Sequence, residues 1–171
     1  MKFIKLGVIS GVMIFLVITA LSLLLPSQIV VSRAVDINQP LDTVYAFVNN
    51  LNNWPKWMDN FDTTLQKISP NPRGKNAFIQ TSEVTVTLTK VSNKKIEAIW
   101  QSGSRKQMPG EFNFYPAKGN TITTVQWQFI QKVKWYPWEK FASIATDKII
   151  SPYMEKSLDN LKQLAEGPAG K

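Results

Sequence analysis

The chain contains neither cysteine nor histidine among its 171 residues. A thiol nucleophile, an imidazole base, a Cys/His zinc site and a disulfide are therefore all impossible. The groups left for chemistry are carboxylates, Lys, Arg, Tyr, Ser and Thr. Tyr153 is a candidate proton donor. Glu83, Glu97 and Glu111 fall in strand-like stretches, but Glu97 and Glu111 alternate away from the aromatic side. No spacing pairs two carboxylates for acid/base work, so each reads first as a solvated sheet residue. Arg105 could meet an anionic head group at a cavity mouth, though a surface arginine explains it as well. GxGxxG, Walker, HExxH and GxSxG patterns are missing. The residues call for no catalytic group, no metal and no cofactor.

Apolar recognition is the chemistry the sequence does equip. Val86, Leu88, Trp100, Phe112, Phe114, Trp127 and Phe129 share one face of successive alternating stretches, and Ile150, Tyr153 and Met154 lie on a long helical stripe. Ligand pockets are mostly apolar and aromatic, with few polar groups. The same residues would equally fill a core, and patterning does not measure a void.

Several elements must position this set. Ile29 to Ile37 alternates as a strand, with Arg33 on its apolar side, where a place near the open end would let the guanidinium snorkel to water. Pro40 opens a helix whose stripe is Leu41, Val44, Tyr45, Val48 and Leu51. Asn49, Asn50, Asn52 and Asn53 end it, and Trp54-Pro55-Lys56-Trp57 reads as a short helical turn whose two Trp plug the core. Strands follow at 61–68, 77–82, 83–92, 95–101, 105–115 and 121–134, separated by turn signals such as Ser69–Asn76 and Asn93-Lys94. Pro109-Gly110 predicts a bulge or bend. Trp138 to Glu166 has the helical period, and Pro152 predicts a kink in it. The expected class is α+β, an antiparallel meander with a long C-terminal helix and no internal repeat.

Leu6 to Leu25 is an unbroken run without charge, long enough at about 20 residues to cross a bilayer. Lys2 and Lys5 precede it, and the next positive charge is Arg33. That asymmetry predicts a retained single-pass anchor with a cytosolic N-terminus and the rest on the extracytoplasmic side. A signal peptide cleaved after Ala20-Leu21-Ser22 is the rival, but the apolar run continues through Leu23, Leu24 and Leu25. Beyond the anchor, 18 basic residues face 12 acidic ones, which favours anionic membrane surfaces. Lys94-Lys95, Arg105-Lys106 and Lys132/Lys134 are the only basic clusters, and with no accompanying motif they do not point to nucleic acid. The division expected is an anchor and linker over 1–28, one domain over 29–166 and a flexible tail over 167–171.

Three segments carry a family resemblance. Val31–Pro40 resembles a first strand running into a Pro-started helix, Leu51–Trp57 a helix-end Trp motif, and Glu155–Leu164 a last helix. Gly110 and the strand Thr121–Trp127 also match the pattern. In this order they resemble the START-related, birch-pollen-allergen and polyketide cyclase/dehydrase (SRPBCC) superfamily over roughly residues 29–166. The resemblance implies a helix-grip fold, a curved antiparallel sheet around the C-terminal helix. It also implies a cavity that in many relatives holds lipids, sterols or polyketides. It supplies no catalytic residue, since the superfamily shares no catalytic motif, and function must come from the site. The leading expectation is a membrane-tethered binder of an apolar or amphipathic small molecule such as a lipid. A cyclase- or dehydratase-type enzyme and an envelope protein-interaction module are the alternatives.

Overall fold

The computed structural model describes residues 2–25, 27–103, 107–134 and 136–167, with the side chains of residues 2 and 142–145 left aside. Arg105 and Lys106, and the expected tail beyond Gly167, lie outside the described residues. In order come α1 (Lys2–Leu23), β1 (Gln28–Ile37), α2 (Leu41–Asn49), a 3₁₀ helix (Leu51–Lys56), α3 (Phe61–Thr64), β2 (Leu65–Ile68), β3 (Phe78–Thr81), β4 (Thr85–Ser92), β5 (Lys95–Gln101), β6 (Met108–Pro116), β7 (Thr123–Lys132) and α4 (Pro137–Glu166).

The strands form one seven-stranded antiparallel sheet in the order β1-β7-β6-β5-β4-β3-β2. After β1 the chain crosses through α2, the 3₁₀ helix and α3 to the far edge. It then meanders back until β7 lies beside β1. Alternation sets the two faces: in β7, Thr123, Val125, Trp127 and Phe129 are buried, and Thr124, Gln126 and Gln128 are not. The buried face packs against α4 through Met154, Leu158, Leu161 and Ala165, which recur at helical spacing. This is the helix-grip arrangement, an α+β fold preceded by an apolar helix.

Local chemistry explains the joints. Asn50 ends α2, and its side chain accepts from the N–H of Asn52 to cap the 3₁₀ helix. Trp54 and Trp57 are fully buried under the sheet. Pro137 begins α4, where its missing N–H costs nothing.

Three expectations are corrected. The segment 61–68 is not one strand, because Phe61–Thr64 makes a helical turn that buries Phe61 before β2 begins. Pro109-Gly110 forms no bulge: Ile99 pairs Pro109 and Ala98 pairs Gly110 in unbroken register, and the shifts fall at Leu88/Lys90 and Leu65/Lys67 instead. Arg33 does not snorkel from an open strand end but reaches α4, donating from Nε to Glu155 at 2.6 Å and from Nη2 to Asp147 at 3.3 Å. Pro152 lies inside α4 without dividing it. The ring sits on the exposed side, where water can take the carbonyl its absent N–H leaves unpaired.

The convex face carries a polar cluster. Lys95 bridges Glu97 at 3.2 Å and Glu111 at 2.5 Å, and Glu111 also accepts from Asn113 and from Gln128. Partial burial works against ionisation of Glu111, but the hydrogen bonds from Lys95, Asn113 and Gln128 outweigh it and hold its pKa below the usual 4.5. A carboxylate depressed in this way stabilises the fold above its unfolded pKa and loses that contribution as pH falls through the lowered value. In urea titrations at several pH values, Glu111→Gln should therefore be less stable than the wild type at neutral pH. The gap should close as the pH drops below about 4.5. A gap unchanged across that range would show that Glu111 is not held this way.

Candidate functional site

One end of the sheet is left incompletely covered. There a cavity of about 360 Å3 lies between the concave face and α4, lined by Val84, Trp100, Ser102, Met108, Phe129, Ile149, Ile150 and Tyr153. The strand register explains the location. Gly110 pairs with Phe129 and Phe129 with Val31, while Trp100 pairs with Met108, so the lining comes from neighbouring strands at one level of the sheet. Ile149 is 74% exposed and marks the rim.

The candidate residues divide into two groups. Trp100, Phe129, Ile150 and Tyr153 border the cavity. Val86, Leu88, Phe112, Phe114, Trp127 and Met154 are buried in the packed core beside it. Val84, Ser102, Met108 and Ile149 belong to the lining although the candidate set omitted them. Continuing the period-two count one step would have reached each strand residue: Met108 precedes Gly110 and Phe112 on that face, Val84 precedes Val86, and Ser102 follows Trp100.

The cavity wall is aromatic. Trp100 meets Phe129 edge-to-face at 4.8 Å, Trp127 at 5.8 Å and Trp54 at 6.2 Å, and Trp127 meets the Tyr153 ring at 5.7 Å. Gly110 makes this possible. A β-carbon there would lie 2.7 Å from Phe129 Cδ1 and 2.8 Å from Trp100 Cζ3, so both rings rest directly on the β6 backbone. The indole N–H groups of Trp100 and Trp127 are buried with no acceptor among the described residues, a cost of about 1–3 kcal/mol each.

Among the described residues, no charged side chain lines the cavity. Burial first, and then the negative charge of Asp59, push the Tyr153 hydroxyl well above the ordinary tyrosine value, against a smaller opposing effect of its hydrogen bond with Ser157. A phenol held neutral so firmly is a weaker acid than a free tyrosine, which counts against the proton-donor role. Glu97 and Glu111 lie on the opposite face, tied to Lys95, and Glu83 is exposed. Among the described residues, no group of Asp and Glu side chains is placed to hold a metal ion.

Residues 28–166 match the family model described as polyketide cyclase / dehydrase and lipid transport. The chain belongs to this family. Solved structures with the same fold include a protein from Nitrosospira multiformis, 15% identical with a TM-score of 0.60, covering 78% of this chain and 94% of that one. A START superfamily protein from Mycobacterium smegmatis is 14% identical with a TM-score of 0.58, covering 80% and 97%. A protein from Deinococcus radiodurans is 22% identical with a TM-score of 0.53, covering 81% and 98%. At these identities the likeness extends to the fold alone. No curated protein matches the sequence. Membership in the polyketide cyclase / dehydrase and lipid transport family suggests a cavity for a hydrophobic ligand, and the hollow under α4 has that character.

Gly110→Ala tests how the wall is built. The added methyl must displace two rings that are themselves packed, an overpacking change expected to cost about 1–3 kcal/mol. Chemical denaturation with Trp emission as the probe should show a lowered midpoint and altered native emission. An unchanged midpoint would mean the rings have room to move.

Proposed function

We propose that this chain is a membrane-tethered binding protein for an apolar or amphipathic small molecule, lipid-like in character, held between the sheet and α4. The observation that carries the reading is the cavity of about 360 Å3 with its apolar lining, in a family whose description includes lipid transport. That volume falls toward the lower end of small-molecule pockets. Residues Trp100, Met108, Phe129, Ile150 and Tyr153 are the proposed ligand contacts, with Val86, Leu88, Phe112, Phe114, Trp127 and Met154 as the packed bed beneath them. Binding without turnover is favoured over a cyclase or dehydratase, because Tyr153 is held neutral and no carboxylate lines the cavity among the described residues.

The tether is residues 1–28, the binding domain 29–166, and the remainder a tail. Phe3–Leu23 is apolar enough to cross a membrane and is almost unburied. A signal sequence passes the same test. The burial of Ser22 favours retention, since cleavage after it would remove that packed side chain; Lys140 of α4, itself buried, donates from Nζ to the Leu25 carbonyl at 2.7 Å and to Ser27 Oγ at 3.1 Å, beyond the cleavage site, and holds the linker in either form. Buried charge needs such partners. The flanking Lys2 and Lys5 favour a cytosolic N-terminus with the domain on the extracytoplasmic side.

Native mass spectrometry of the full chain released from detergent should reveal a co-isolated small molecule. Ile150→Trp, which fills the cavity with a larger side chain, should remove that adduct while leaving the fold intact by circular dichroism. Lipids clinging to α1 would persist in the variant, so they are separable from cavity ligand. A bare wild-type chain, or an adduct indifferent to Ile150→Trp, would overturn the binding reading.

A further inference from the structure

The cavity end of the domain is also the end at which α1 joins it. The register fixes this. β1 starts at Gln28, opposite Lys132 at the finish of β7, and the same end of the sheet holds the start of β6 at Met108, the finish of β5 at Gln101 and the start of β4 at Thr85. Val84, Trp100, Ser102 and Met108 of the cavity lining lie there. The opposite end, with Ile37, Thr123, Pro116 and Lys95, is the one farther from α1.

Among the described residues, three large apolar side chains on the outer side of α4 at this end are exposed. Trp138 is 63% exposed, Phe141 47% and Ile149 74%. At 100° per residue, positions i, i+3 and i+11 fall on one stripe, and Phe141 and Ile149 are about 12 Å apart along the axis. Lys140 in the same first turns holds the carbonyl of Leu25, so the stripe begins within one helical turn of the point where the apolar helix ends. The approach is layered: the Lys134 ammonium lies 5.8 Å from the Tyr136 ring centre, and Tyr136 stacks on Trp138 at 5.0 Å with planes 4° apart. Trp and Tyr favour the head-group level of a bilayer, and Lys beside them reaches phosphates while its stem stays in the apolar zone. Ile149 is both the last member of the stripe and part of the cavity lining.

We propose that this face of α4 seats on the leaflet of the phospholipid bilayer that holds α1, so that the cavity opens toward lipid and exchanges its ligand with the membrane rather than with water. The proposal rests on the tethered-binder reading and adds the docking surface and the route. The occupant is the bilayer because the face is continuous with the exit of a membrane-length apolar helix and is edged by Lys134 and Lys148.

The chain has no cysteine of its own, so single substitutions give unique label sites. Phe141→Cys, Ile149→Cys and, in the β4–β5 turn at the far end, Asn93→Cys would each be labelled with an environment-sensitive fluorophore. The labelled full chain would be reconstituted in phosphatidylcholine/phosphatidylglycerol vesicles containing doxyl-labelled lipid. These side chains are exposed, so folding is not at risk, and circular dichroism checks it. Carbonate-resistant co-flotation should hold for all three. Emission at 141 and 149 should be blue-shifted and quenched by the doxyl lipid, with 93 behaving as in water. Flotation with 149 as aqueous as 93 overturns docking and leaves the tether standing. Shielding without quenching by doxyl lipid means a protein or a second copy covers the face, and also overturns docking. Failure to float removes the tether reading and docking with it.

Discussion

The fold depends on one continuous aromatic cluster. Trp54 and Trp57 of the 3₁₀ helix, Trp100, Phe112, Trp127 and Phe129 of the sheet, and Tyr153 of α4 are joined by ring contacts between 4.8 and 6.2 Å. Each such pair adds about 0.5–1.5 kcal/mol beyond burial of its area. Their bulk spans the gap between sheet and helices that smaller residues would leave open. Small residues in register, Ala98 opposite Gly110, give them a floor. Side chains of this size need an alternating strand on one side and a helix on the other, so the aromatic face dictates both the meander and the long closing helix.

Polar contacts fix where α4 lies rather than how strongly it is held. Its first turns are bound through Lys140 to Leu25 and Ser27, its middle through Asp147 and Glu155 to Arg33, and its last turn through Glu166 to the backbone and side-chain nitrogens of Asn38 at 2.7 and 3.0 Å. The acids that meet Arg33 are more than half exposed, and exposed pairs contribute about 0–1 kcal/mol. With the Lys156–Asp59 ion pair, the Asp59 N–H donated to Ser157 and the Asn160 amide donated to the Trp57 carbonyl, these fastenings are spread along the thirty residues of the helix and set its register on the domain. Arg33 occupies a concave-face position where an apolar residue would have gained more burial, which is consistent with a placing role.

Period-two alternation made the sheet legible, since every strand from β4 to β7 announces its buried face by residue type. The two Trp at 54 and 57 and the Asn cluster before them were equally readable because capping and plugging are local. The partners of Arg33 were not, since they lie 114 and 122 positions away. Pro109-Gly110 misled for a related reason: the dipeptide reads as a bulge or bend locally, whereas the glycine is required by rings on two other strands. The candidate set captured the correct face but not the level along it. Phe112 and Phe129 obey the same alternation, yet one lies in the packed core and the other borders a void. Periodicity states which way a side chain points and says nothing of what stands above it.

What stands above it is decided by the helical cover. At the end distant from α1, the concave face lies under α2 and the 3₁₀ helix as well as α4: Tyr45 meets Phe114 at 5.4 Å and Trp57 meets Phe112 at 6.0 Å. Trp54 stacks on Trp100 at 6.2 Å, and there the 3₁₀ helix reaches its limit. Beyond Trp100, the helical side of the cavity among the described residues is Ile149, Ile150 and Tyr153 of α4, and a helix set against a curved surface leaves a gap. The walls of that gap offer water few hydrogen-bond partners, so solvent is a poor filling. An apolar occupant would restore the dispersion contacts that the exposed ring faces lack. The hollow thus lies past the reach of Tyr45, Trp54 and Trp57, whose ring contacts fill the sheet at and beyond Trp100 on the side away from α1.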